Sequence, residues 1–281
     1  MISGTRYQLR LEMNRQLGLA TDIARGQARI SGGKRILAPS DDPAAAARIS
    51  DIARSQANEA TWRTNLDRAY ALSQSADDVL ETVVTRYDRA NELMLSASNG
   101  TLSDENRRAV ALELASIAEE IATLRDTRDS RGELLFPTGT PLGIPVGPDL
   151  TVNAVNGRAA VFDAVAVVGG TADLVSIIAN AAAAVSSNDP AAIAASLAQV
   201  TAGSNHAVAA RGEQGARGSR IDAIEERLAT SRIGLKEERS ALEDTDVIET
   251  VAELQAKQLS LEAAQAAFAR INRSNLFDLI R

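Results

Sequence analysis

The chain has 281 residues, a net charge of −7 and no cysteine, which excludes disulfides, thiol catalysis and Cys-based zinc sites. It is 45% hydrophobic but only 3% aromatic, so its apolar surface is Ala, Leu, Ile and Val, suited to packed helices rather than an aromatic-lined pocket. With no Lys/Arg block for phosphates and no apolar run of the ~20 residues needed to span a bilayer, neither nucleic-acid binding nor membrane insertion is expected.

Residues 7–30 carry Leu9, Met13, Leu17, Ala20, Ala24 and Ile30 at helix-like intervals. Ser31-Gly32-Gly33-Lys34 and Pro39-Ser40-Asp41-Asp42-Pro43 then predict a loop, with Asp41 or Asp42 capping the next helix and Pro43 in its first turn. That helix shows a heptad seam over five repeats. Leu66, Ser73, Leu80, Tyr87 and Met94 recur every seven residues, and Ala69, Ala76, Val83, Ala90 and Ala97 fill the alternate positions. Asn99-Gly100 stops it. Ser103 caps a following helix with Val110, Leu114, Ile117, Ile121 and Leu124 on one face, ending near Ser130-Arg131-Gly132.

Residues 137–170 break the pattern: four of the seven prolines lie here, and Asn156-Gly157 predicts a hairpin between strands at 151–155 and 159–168. Helix resumes at 171–187, breaks at Asn188-Asp189-Pro190 and restarts. The last long segment carries Ile193, Leu197 and Val200, then Ile221, Leu228, Leu235 and Leu242 at heptad spacing. Gly212, Gly215 and Gly218 interrupt it, each at about 1 kcal/mol relative to Ala. As one helix, residues 190–243 would span about 80 Å, a length that suits an assembly subunit more than an enzyme. After Glu243-Asp244-Thr245-Asp246 the seam restarts as Val247, Val251, Leu254, Leu261 and Phe268.

The fold class expected is mainly α: a long antiparallel helical bundle or coiled coil, both termini pairing at one end, with a small central β insertion. No enzyme, cofactor or metal site is expected. His206 is the only histidine and has no assignable catalytic partner, and the acidic pairs Asp41-Asp42, Asp77-Asp78 and Glu119-Glu120 read as solvated or capping charge. Gly32-Gly33-Lys34 lacks the earlier glycine, the following Ser/Thr and the strand of a phosphate loop.

The ends carry a more specific signal. Residues 29–36 (Arg-Ile-Ser-Gly-Gly-Lys-Arg-Ile) with Pro39-Ser40-Asp41-Asp42-Pro43, then residues 99–104, residues 128–136, Leu242-Glu243-Asp244-Thr245-Asp246, Phe268-Ala269-Arg270-Ile271-Asn272 and Asn275-Leu276-Phe277-Asp278 resemble, in order and spacing, the motifs of the bacterial flagellin family. The prolines flanking Ser40-Asp41-Asp42 resemble the members that join hook to filament more than flagellin itself.

The resemblance implies a structural subunit, exported through the flagellar type III apparatus without a cleaved signal and placed outside the cell in the flagellum. It implies a homo-oligomer in a ring or helical assembly, with hook-associated protein 1, flagellin and an export chaperone as partners. Residues 1–40 and 248–281 would form the terminal coiled-coil polymerisation domain, 41–136 and 171–247 the helical bundle, and 137–170 the β-rich insertion. The assembly contacts implied are Leu9, Met13, Leu17, Ile30, Arg35, Leu254, Leu261, Phe268, Ile271, Leu276 and Phe277. Flagellin itself is the alternative within the family, and a non-flagellar coiled-coil adaptor the alternative outside it.

Overall fold

The computed structural model describes the backbone of residues 2–100 and 102–278, and the side chains of residues 7, 10–100 and 102–270. In chain order the elements are α1 (Ile2–Gly32), α2 (Pro43–Ser98), α3 (Asp104–Arg125), β1 (Ile144–Gly147), β2 (Leu150–Val152), a π-helical turn (Ala159–Asp163), β3 (Val165–Val167), β4 (Gly170–Ala172), α4 (Leu174–Ser187), α5 (Pro190–Glu243) and α6 (Val247–Asp278). The architecture is mainly α, with two small antiparallel sheets.

Acceptor side chains start the helices. Asp42 Oδ1 accepts the Ala45 N–H at 3.0 Å, with Pro43 as the first helical residue of α2. Ser103 accepts from Asn106 at the start of α3, Asp173 from Ser176 at α4, Asp189 from Ala191 at α5, and Asp246 from Ile248 and Glu249 at α6. Asn188, at φ 55°, separates α4 from α5.

The chain forms two compact units, residues 1–57 with 231–281 and residues 58–230. In the second unit the heptad seam of α2 is the core. Leu66, Ser73, Leu80, Tyr87, Met94 and all five alternate residues are buried. They pack with Leu114, Ile117 and Ile121 of α3, Leu174, Ile177 and Ile178 of α4, and Ile193, Val200 and Ile221 of α5. The three glycines do not interrupt α5. Gln214 among them is buried, and its Nε2 donates to Ser73 Oγ (2.8 Å) and the Ala154 carbonyl (2.9 Å), so tertiary hydrogen bonds hold the helix where propensity is weakest.

The insertion differs from expectation. Asn156-Gly157 is not a hairpin turn, because the Asn156 amide is used elsewhere: its Nδ2 donates to Glu213 Oε2 (2.9 Å) and its Oδ1 accepts from Arg217, both on α5. The hairpins turn instead at Pro148-Asp149, with Asp149 at φ 57°, and at Val168-Gly169, with Gly169 at φ 97°. Residues 159–163 are a π-helical turn rather than a strand. A strand would send Val161 and Phe162 to opposite faces, whereas both are buried, Phe162 edge-on to Phe136 at 5.1 Å. His206 Nε2 lies 3.1 Å from the Ala160 and Val161 carbonyls, so it carries the hydrogen and donates to this turn. α3 stops at Arg125, short of residue 130, because Asp129 Oδ1 takes the Arg131 and Glu133 N–H groups into a turn.

Candidate assembly helices and the joint at their base

α1 and α6 pair antiparallel. Moving from Asp22 to Gly26 to Gly33 along α1, the partners run back from Lys257 (3.5 Å from Asp22) through Leu254 to Thr245, whose N–H donates to the Gly33 carbonyl at 3.0 Å. The seam uses Gln16, Leu19, Ile23, Gly26 and Ile30 of α1 and Val251, Leu254, Leu261 and Phe268 of α6, all half-buried. A Cβ at Gly26 would sit 3.3 Å from Leu254 Cδ1, so glycine lets the two helices approach closely there.

The expected contact residues therefore divide. Ile30, Leu254, Leu261 and Phe268 lie half-buried in the paired helices. Met13 and Leu17 are 57% and 70% exposed and take no part in the seam. They lie with the exposed Ala20 and Ala24 on a separate stripe at helical spacing. The side chains of Leu9, Ile271, Leu276 and Phe277 lie outside the described residues. The sequence reading missed Leu19 and Ile23, although Leu19-Ile23-Gly26-Ile30 has the 4-3-4 spacing of a coiled-coil seam. It also missed a second stripe on α6, Ile248, Ala252, Ala256, Leu259, Ala263 and Ala266, all exposed, Ile248 at 85% and Leu259 at 67%. Each terminal helix thus has one apolar face filled within the chain and another left open.

Arg35 belongs to the joint below this hairpin. Gly33, at φ 66°, turns the chain out of α1, and Lys34 then pairs as a single antiparallel bridge with Asp244. The Arg35 N–H donates to the Glu243 carbonyl at 2.7 Å, and its guanidinium Nη2 to the Leu242 carbonyl at 3.0 Å, a cation at the C-terminal end of α5. Lys34 and Arg239 (2.7 Å) both bind the Glu243 carboxylate, and these two partners hold it below the usual range against the opposing effect of burial. Arg48 Nε and Nη2 grip Glu238 at 2.6 and 2.9 Å, which lowers that carboxyl too. Asp41 is held low by the Ala38 and Leu37 N–H groups donated to its Oδ2, each at 3.0 Å. The motif residues 33–35, 41–42 and 242–246 thus act on backbone and charge, holding the base of the hairpin.

Among the described residues no group of three or more His, Asp or Glu side chains is arranged to hold a metal, and no helix is long and apolar enough to cross a membrane.

The model of the bacterial flagellin N-terminal helical region matches residues 9–138, and that of the flagellin C-terminal helical region matches residues 197–280. The chain belongs to the bacterial flagellin family. Flagellar hook-associated protein 3 of Escherichia coli (strain K12) is 27% identical over 89% of this chain and 90% of its own length. The flagellin of Listeria monocytogenes serovar 1/2a is 29% identical, but over 42% of each chain. The solved flagellar junction protein FlgL of Legionella pneumophila has the same fold, with a TM-score of 0.59 at 13% identity, covering 70% of this chain and all of that one. The family's parts are the ones found here, terminal helices and the bundle they lead into.

Proposed function

We propose that this chain is a structural subunit of the bacterial flagellum, a hook-associated protein 3 that forms the junction between hook and filament. The observation that carries this reading is the terminal hairpin. α1 and α6 satisfy each other through one seam and leave Met13, Leu17, Ile248 and Leu259 exposed on others, as a subunit needs if neighbours complete its burial. The junction is favoured over the filament because similarity to the Escherichia coli hook-associated protein 3 covers 89% of the chain, while that to the Listeria monocytogenes flagellin covers 42%.

In this reading the protein acts by assembly and not by turnover. Residues 1–40 and 248–281 form the polymerising part, 41–136 and 171–247 the helical bundle, and 137–170 the β-rich insertion. One face of a ring of copies meets hook-associated protein 1 and the other meets flagellin. The chain leaves the cell through the type III export apparatus after a chaperone has covered its C-terminal helix.

Deleting the gene tests this. The expected phenotype is hooks without filaments and flagellin secreted as monomer. Normal filaments on the deletion strain would overturn the reading, and long filaments formed by the purified protein alone would replace it with flagellin.

A further inference from the structure

On one flank of the terminal hairpin, α1 and α6 enclose a groove of about 140 Å³ lined by Asp22, Arg25, Gly26 and Arg29 of α1 and by Glu253 and Lys257 of α6. The charges of its lining residues do not cancel. Lys257 pairs with Asp22 at 3.5 Å, leaving two guanidinium groups against the single carboxylate of Glu253. Among the described residues neither Arg25 nor Arg29 has a hydrogen bond or ion pair, and the Nε of Arg29 is buried with no acceptor. A buried charged donor without an acceptor is unfavourable and is relieved by an anion placed against it. The charge of Asp41 interacts with both arginines, but Asp41 is not part of the groove lining and its Oδ2 accepts the Leu37 and Ala38 N–H groups.

We propose that this groove is a socket for a carboxylate side chain from a second copy of the chain. The proposal rests on the assembly reading above and names one of its contacts. Charge distribution favours this occupant. Seven of the 30 Lys and Arg residues but only two of the 37 Asp and Glu residues lie in residues 1–35, so the first helix is a basic arm on an otherwise acidic protein. Copies brought together present acids to that arm. Glu253 on the groove wall opposes a multiply charged anion such as phosphate and tolerates a singly charged carboxylate. Gly26 and Leu254 also line the groove, where the two helices approach closely.

The test is zero-length carbodiimide coupling on flagellar particles isolated from cells, read by mass spectrometry. Particles are made from equal amounts of isotopically light and heavy chain, so links between copies carry a mixed mass. Two amines report on the socket: native Lys257, and the lysine introduced by Arg29→Lys. The expected result is a mixed-mass isopeptide joining either amine to an Asp or Glu peptide of another copy, the Lys257 link being lost in Arg25→Gln/Arg29→Gln protein that still enters the particles. Links only to Asp22, Asp41 or Glu253 of the same copy, or to a carboxylate of another flagellar protein, would overturn the socket. Such results leave the assembly reading standing, whereas absence of the wild-type chain from the particles would overturn both.

Discussion

Tyr87 of α2 and Gly203 of α5 face each other so closely that a Cβ on Gly203 would fall within 3.0 Å of the tyrosine Cζ and Oη. The ring is fully buried, and its hydroxyl donates to the Leu174 carbonyl at 2.6 Å, tying α2 to the first residue of α4. Burial pushes the phenol far above its ordinary pKa, which favours the protonated, donating form. Gly203→Ala is expected to cost about 1–3 kcal/mol by overpacking, even though alanine favours the helix. Thermal unfolding of the full chain should show a lowered midpoint, and an unchanged or raised one would contradict the close packing.

Gln214 gives a second test in the same unit. Its amide reaches Ser73 and the Ala154 carbonyl from a fully buried position on α5. Gln214→Leu leaves these acceptors unsatisfied and should cost about 1–3 kcal/mol, measured by denaturant unfolding. Local exchange should rise in residues 150–156 first, because Gln214 holds that part of the insertion directly.

The joint predicts acid sensitivity. Glu243 sits below its usual value near 4.5 because Lys34 and Arg239 bind its charged form. A carboxyl depressed by folding adds stability that is fully present above the unfolded value and is lost as pH falls through the folded one. Pairing of α1 with α6 should therefore weaken below about pH 4.5. Followed by hydrogen exchange of Arg35 and Thr245 amides, Glu243→Gln should already be loosened at pH 7 and change less on acidification. Equal pH dependence in both proteins would show that Glu243 does not hold the joint.

The two faces of α1 can be separated by mutation. Leu17 is exposed and Ile23 lies in the seam with α6. Leu17→Asp should leave stability within about 0.5 kcal/mol of wild type and block incorporation into flagella. Phe268→Asp and Ile23→Asp should both loosen the hairpin as well as block incorporation, while circular dichroism shows the bundle still folded. Normal incorporation of Leu17→Asp would remove its stripe from the assembly contacts.

Periodicity revealed the bundle because helix cores require it: every residue of the α2 heptad seam is buried. Caps were legible for the same reason, since Asp42 and Ser103 act over three residues of sequence. The insertion was not, because Asn156 answers to Glu213 and Arg217, far along the chain, and not to its neighbour Gly157. On α1 two apolar stripes overlap in one sequence. Spacing alone identified the Met13–Leu17 stripe but could not tell which stripe meets α6, and Gly26 concealed the other by contributing closeness instead of side chain. The joint showed only as a motif, because Arg35 acts through the Leu242 and Glu243 carbonyls, which no side-chain pattern reports.

The most direct test of the junction assignment is the position of the protein on purified hook–basal bodies with filaments attached, read by immunogold labelling. The account predicts a narrow band of label where hook meets filament and none along the filament. Label distributed along the filament, or absent from the particle, would contradict it.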